Sequence, residues 1–314
     1  MAGEPNHHSA DRRSVGQVTL LVNPHARHGA AGDVAEAAIA RFAACGIATE
    51  IIVGADAQDA AEQAGKAAGG DTDGIIVVGG DGTIRLAVEA AFGTDKPLGI
   101  VPAGSGNDVA RNLGIPCDDV IAAVDIIVAG HTRCIDLGRV TFPDGRTALF
   151  VTVAATGFDA SVTARAIDMR RPKGQARYTL AALRELVGLP SYHYDLRADD
   201  VAIDDDLVFA AIGNTTSYGG GMHITPRASM TDGLLDLTLA HHPERFARAT
   251  VARVFPKVFG GTHVDHPMVR TMRGAEIELY SDPPALVSID GDVVGELPAV
   301  FEVVPGSTNV FAPS

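Results

Sequence analysis

Twice within residues 75–108, a short β-branched run breaks into a loop of glycines and aspartates, and helix-like sequence follows. The first instance reads Ile75-Ile76-Val77-Val78, then Gly79-Gly80-Asp81-Gly82-Thr83, then an amphipathic run. The second reads Leu98-Gly99-Ile100-Val101, then Pro102-Ala103-Gly104-Ser105-Gly106-Asn107-Asp108. Short apolar strands separated by helices imply a parallel sheet covered on both faces, with ligands at the C-terminal strand ends. Glycines there let the backbone turn tightly and bring N–H groups against an anion, which a following helix N-terminus also favours. A carboxylate in such a loop repels phosphate unless a cation lies between them. Asp81 and Asp108 therefore point to phosphate together with Mg²⁺. Two ordinary strand–helix turns are the plainer account, but two such loops one helix apart argue against it.

The same alternation extends over the first part of the chain. Strands are expected at 18–22, 47–53, 75–78 and 98–101, and helices at 31–44, 57–68, 83–92, 107–113 and 118–129. After about residue 133 the character changes. Strand-like runs at 148–155, 207–213, 234–240, 275–280 and 286–289 predict a mainly antiparallel β-sandwich, interrupted by helical insertions near 161–171 and 176–188. The expected organisation is a polar, disordered leader over 1–14, an α/β domain over 15–132 and a β-rich domain over 133–302.

A length of 314 residues accommodates two domains, and no apolar run reaches the ~18 residues needed to span a bilayer. The start carries His7, His8, Arg12 and Arg13 and lacks the apolar segment of a signal peptide. Cys45, Cys117 and Cys134 are too widely spaced to signal a zinc cluster or a disulfide framework, which fits a cytoplasmic location. A net charge of −14 argues against nucleic-acid binding. The charge is uneven, however: Arg165, Arg170, Arg171, Lys173, Arg177 and Arg184 are opposed within their stretch by Asp168 alone. Such a cluster is a solvated face or, with Ile167, Met169, Tyr178, Leu180, Leu183 and Leu186, an interfacial one.

Three further places could carry chemistry. Asn23-Pro24 follows the first strand, either as a turn or as a nucleotide-facing loop. Asp232-Gly233 is a plain β-turn or a small oxygen-only cation site. Asp290-Gly291-Asp292 is a hairpin turn, or a pair of carboxylates serving as base and metal partner. Ser217-Tyr218-Gly219-Gly220-Gly221 is assigned to the wall of an acceptor pocket.

Taken together, these residues resemble the soluble bacterial diacylglycerol kinases of actinobacterial type, grouped with the sphingosine and ceramide kinases. The resemblance covers residues 15–312. It rests on Gly79–Thr83, on Pro102–Asp108 followed by Arg111, on Thr156-Gly157-Phe158-Asp159, and on Asp232-Gly233-Leu234-Leu235-Asp236. The Gly-Gly-Asp-Gly loop is shared with NAD kinase and 6-phosphofructokinase, whereas the second loop belongs to the lipid kinases. The resemblance implies a phosphofructokinase- and NAD-kinase-like N-terminal domain, to which residues 303–314 return. It implies ATP against Asn23, Pro24, His25, Ala26 and Arg27, against Gly79, Gly80, Asp81, Gly82, Thr83, Ile84 and Arg85, and against Ser105. It gives Asp81 and Asp108 to Mg²⁺ at the phosphates, and Ser229, Asp232 and Leu234 to a second, structural metal.

Two departures matter. The first loop has Asn23-Pro24-His25-Ala26-Arg27-His28-Gly29 where many members carry Asn-Pro-x-Ser-Gly-Lys, so the cationic phosphate contact must come from Arg27, His28 or elsewhere. The hairpin has Asp290-Gly291-Asp292 where Asp-Gly-Glu is common, so the base role passes to Asp292, with Asp290 orienting the site. The reaction so implied is phosphorylation of diacylglycerol to phosphatidic acid by a protein that visits the inner face of the membrane through Arg165–Arg184. A kinase of another lipid alcohol or of NAD, or a non-catalytic regulator, is the alternative. A homodimer is compatible with the sequence.

Overall fold

Buried strands and alanine-rich helices alternate through the first of two units in the computed structural model, which describes residues 11–22, 31–54, 57–169, 175–243 and 245–314. This unit comprises residues 1–135 and 306–314. Its elements are β1 (Asp11–Arg12), β2 (Gln17–Val22), α1 (Ala31–Ala44), β3 (Ala48–Val53), α2 (Ala57–Ala68), β4 (Ile75–Gly79), α3 (Asp81–Ala91), β5 (Leu98–Pro102), α4 (Asp108–Asn112), α5 (Val120–Ala129) and β6 (His131–Thr141), the last of which continues into the second unit. Strands β3, β2, β4 and β5 run parallel in that order, with Leu20 beside Ile76 and Ile76 beside Gly99. Every residue of β4 and β5 is buried, as expected for strands covered on both faces. Helix α1 packs with α5, and α2 with α3. Phe42, Leu20, Ile76, Val101, Ile127 and Phe311 share one core. Helix α5 illustrates the local logic: Asp119 caps its first turn by accepting the Ala122 N–H at 2.9 Å, and Gly130 ends it in the left-handed conformation. Asp11 and Arg12 pair with Thr132 and His131, so regular backbone reaches into the stretch expected to be a disordered leader.

The second unit, residues 136–305, is built mainly from antiparallel strands. It continues with β7 (Thr147–Phe150), β8 (Val153–Gly157), α6 (Phe158–Asp168), α7 (Gln175–Gly188), β9 (Tyr192–Ala198), β10 (Val201–Gly213), β11 (Leu235–His241), α8 (Ala247–Val254), β12 (Val269–Gly274), β13 (Glu276–Asp282), β14 (Leu286–Ile289), β15 (Asp292–Glu296) and β16 (Ala299–Phe311). The end of β16 lies in the first unit, where Val310 pairs parallel with Leu98. Strand β10 organises the second unit. Its first half pairs with β9, and its second half with both β8 and β11. Phe150, Tyr194, Leu207, Leu237, Val287 and Phe301 fill the core beneath. Helices α6, α7 and α8 form a separate cap whose apolar side gathers Phe158, Val162, Ala182, Val208 and Val251.

Two expectations need correction. The run 148–155, read as one strand, is two, because Val151 and Thr152 leave the ladder and donate their N–H groups to Asp290. Helix α8 was not anticipated: at eight residues it is too short to impose a clear period on the sequence.

Candidate functional site

The two glycine loops of the first unit touch each other. A Cβ built on Gly104 would lie 2.5 Å from the Gly80 Cα, and one built on Gly80 would lie 2.9 Å from the Gly104 Cα. Real Cβ atoms do not approach backbone that closely, so both positions require glycine for space. Two hydrogen bonds fasten the loops: Ala103 N–H donates to the Gly79 carbonyl at 2.8 Å, and Val109 N–H donates to Asp81 Oδ1 at 3.1 Å. Asn107 shapes the second loop. It sits at φ 56°, a left-handed conformation that Asn tolerates. Its carboxamide closes a ring on Gly104, accepting the N–H at 2.9 Å and donating to the carbonyl at 3.1 Å. Ser105 is left exposed at the tip.

Helix α3 starts at Asp81, at the C-terminal end of β4, with no side-chain cap at Gly80, and the Thr83 and Ile84 N–H groups both donate to the Gly80 carbonyl, at 2.9 and 3.1 Å. Thr83 and Ile84 are buried and support the loop from behind. Arg85 lies on the same helix and pairs with Glu89 at 3.4 Å. Asp108 is buried, and Arg111 reaches its Oδ1 at 3.3 Å. Asp81 and Asp108 carry hard oxygens of the kind Mg²⁺ takes. Asp81 Oδ1, however, accepts the Val109 N–H, Asp108 Oδ1 faces Arg111, and no group of three or more His, Cys, Asp or Glu is gathered for a metal among the described residues. Asn23, Pro24, His25, Ala26 and Arg27, with His28, lie outside the described residues.

In the second unit the hairpin acids separate. Asp290 and Gly291, at φ 48° and 90°, form the two-residue turn between β14 and β15. The Asp290 carboxylate accepts the Val151 N–H at 2.9 Å, the Thr152 N–H at 2.8 Å and the Thr152 hydroxyl at 2.5 Å. Asp290 therefore anchors the hairpin to the β7–β8 link. Asp292, the first residue of β15, is exposed.

The turn holding Ser229, Asp232 and Leu234 is organised from inside. Buried Asp136 accepts the Gly233 N–H at 2.8 Å, and Asp232 Oδ1 accepts the Leu234 N–H at 3.2 Å. The Arg273 guanidinium pairs with both Asp232 and Asp236. Burial pushes the Asp236 carboxyl up, and Arg273 opposes that shift. A cation on Ser229, Asp232 and Leu234 would have to compete with this guanidinium.

An apolar cavity in the second unit brings together residues that the sequence left scattered. Phe158, Phe209, Met222, Ile224, Val251 and Val258 are among its walls, and Asp159, Tyr218 and His263 are its polar members. The Tyr218 hydroxyl donates to the Asp159 carboxylate. Desolvation pushes Asp159 up to about 6, with the Tyr218 bond pulling the other way. Burial lowers the pKa of His263, whose Nε2 lies 3.1 Å from the Ile224 carbonyl and so carries the proton in that bond. Asp159 and Tyr218 stood out in the sequence only inside separate motifs, and nothing there joined them to each other.

Comparison with known proteins agrees with this division. Residues 17–140 match the family described as the diacylglycerol kinase catalytic domain. Residues 152–312 match the YegS C-terminal NAD kinase beta sandwich-like domain. The chain is similar to a diacylglycerol kinase of Mycobacterium tuberculosis (strain ATCC 25618 / H37Rv), 44% identical over 303 residues, 96% of this chain and 97% of that one. It is 32% identical over 262 residues to a YegS-like lipid kinase of Pseudomonas savastanoi pv. phaseolicola, covering 82% of each chain. It is 28% identical over 264 residues to a diacylglycerol kinase of Bacillus subtilis (strain 168), covering 83% of this chain and 84% of that one. A solved structure from Bacillus anthracis str. Sterne, described as a diacylglycerol kinase, shares the fold with a TM-score of 0.73 at 18% identity, covering 96% of this chain and 98% of that one. The chain belongs to the diacylglycerol kinase family of lipid kinases.

Proposed function

We propose that the protein transfers the γ-phosphoryl group of ATP to the primary hydroxyl of diacylglycerol, giving phosphatidic acid. The nucleotide-side groups come from the first unit. Glycine-loop N–H groups and the N-terminus of α3 would hold the phosphates, and Asp81 and Asp108 would hold Mg²⁺. Bound there, Mg²⁺ offsets charge on the phosphates. The acceptor-side groups come from the second unit. Asp292 accepts the hydroxyl proton, and Asp290 positions it by tying the hairpin to Val151 and Thr152. Asp159 and Tyr218 lie at the polar side of the small apolar cavity, whose free volume is about 40 Å³.

The choice of acceptor rests on the match of residues 17–140 to the diacylglycerol kinase catalytic domain, since the cavity's free volume of about 40 Å³ is far below what an acyl chain fills. The relative that is 44% identical over nearly the whole chain, a diacylglycerol kinase, supports the same choice. Incubating the chain with labelled ATP and mixed micelles of diacylglycerol, ceramide or sphingoid base, and separately with NAD, tests it. Label in phosphatidic acid is the expected result. Label in another acceptor, or in none, would overturn the assignment.

A further inference from the structure

The segment from Arg245 to Phe259 has a basic outer side in a chain of net charge −14, as the stretch 165–184 also does in sequence. It comprises α8 and the 3-10 turn Phe255–Gly260. Val251, Val254, Phe255 and Val258 face inward and wall the apolar cavity. The outward face of α8 holds Arg248, Ala249, Ala252 and Arg253, all exposed. Arg245 and Lys257 extend it at either end, also exposed. No acidic residue occurs between positions 245 and 264, in a chain of net charge −14. None of the four cations forms an ion pair among the described residues. The acids of the neighbouring helices are Asp159, Asp168 and Glu185; Asp159 accepts from the Tyr218 hydroxyl and Glu185 pairs with Arg165.

Two aromatic rings stand among these cations. Phe246 is 84% exposed and Phe259 is 39% exposed. Phe246 also adopts φ 53° just before α8, a region that bulky L-residues rarely occupy. A fully exposed phenylalanine held in that conformation gains nothing from the fold in return. Rings between arginines on an amphipathic element are the pattern of a helix lying in a lipid interface, where aromatics enter the headgroup layer and cations meet anionic lipid.

We infer that the outer face of residues 245–259 docks on an anionic lipid surface, its inner side packing over the small apolar cavity. This differs from the expected landing face: Arg170, Arg171 and Lys173 lie outside the described residues, and Met169 and Leu186 pack into the helical cap. The inference rests on the lipid-kinase reading only in that a membrane acceptor gives the docking a use.

Co-sedimentation of the full chain with vesicles, without ATP or acceptor, tests it independently of catalysis. The wild type is expected to sediment with vesicles of phosphatidylglycerol and phosphatidylcholine, and not with phosphatidylcholine alone. Arg248→Gln with Arg253→Gln should weaken binding about 25-fold, about fivefold for each cation removed. Phe246→Asn should weaken it severalfold, and Asn suits the left-handed backbone, so the loss reports the ring and not the turn. Unfolding midpoints of the variants should match the wild type. The same binding pattern in a chain without kinase activity would uphold the surface and remove the kinase reading. Variants that bind like the wild type, or a wild type indifferent to phosphatidylglycerol, would overturn the inference. So would a Phe246→Asn variant that loses self-association in sedimentation velocity while keeping vesicle binding, since the face would then belong to a second copy of the chain.

Discussion

Asp290 and Asp292 lie at one hairpin, yet their surroundings give them different work. Asp290 accepts three hydrogen bonds from Val151 and Thr152, two of them from backbone N–H groups that would otherwise lack a partner. Asp290→Ala should therefore cost about 2–4 kcal/mol of stability, measured by urea unfolding. Asp292 is exposed, and Asp292→Asn should leave stability within about 0.5 kcal/mol. On the proposed mechanism the same change slows lipid phosphorylation by about 10²–10⁴ without weakening ATP binding. Asp159 sets a pH dependence. Its carboxyl is raised from 3.8 to about 6, mainly by desolvation, so the folded chain holds a proton that the unfolded chain releases between those values. Its contribution to stability is greatest below about pH 4, falls as pH rises through that window, and remains lower at neutral pH. Asp159→Asn should flatten this part of the profile of unfolding midpoint against pH and raise the midpoint at pH 7.

At the scale of elements, the paired glycine loops are the most legible part of the sequence. Each is a local event: a buried strand ends, the chain turns on glycine, and a helix begins. Their contact was not legible, because the Gly80–Gly104 approach and the bond from Val109 to Asp81 join positions more than twenty residues apart. Gly104→Ala must push the loops apart. It should cost about 1–3 kcal/mol by overpacking and weaken nucleotide binding in calorimetric titration. Long separation hid other features as well. Asp290 meets Val151 across 139 positions, so a hairpin anchor looked like an ordinary turn, and Tyr218 meets Asp159 across 59, so the pocket wall assigned to 217–221 was not joined to its partner. Arg273 was missed for the same reason, lying 41 positions from Asp232 in a strand with no motif. Its guanidinium already partners Asp232, so Mg²⁺ without ATP should leave the unfolding midpoint unchanged. A clear stabilising shift, lost in Asp232→Asn, would restore a cation to Ser229, Asp232 and Leu234.

For the whole molecule, the sequence pattern separates an α/β unit with a parallel sheet from a mainly antiparallel β unit, and the structure has both. On the proposed mechanism the first unit supplies the phosphate-binding loops and the second the candidate base. No helix of the described residues is long and apolar enough to cross a membrane. The proposed acceptor is a membrane lipid, so transfer needs surface contact, and activity on anionic mixed micelles should fall as ionic strength rises. The central claim is that the Gly79–Thr83 loop, through Asp81, delivers phosphate to diacylglycerol. The most direct measurement is phosphatidic acid formed from ATP·Mg²⁺ and diacylglycerol by the wild type and by Asp81→Asn, with folding of both confirmed by circular dichroism. The account predicts product from the wild type and a loss of at least about a hundredfold in the variant. Equal product from both, or none from a folded wild type, would contradict it.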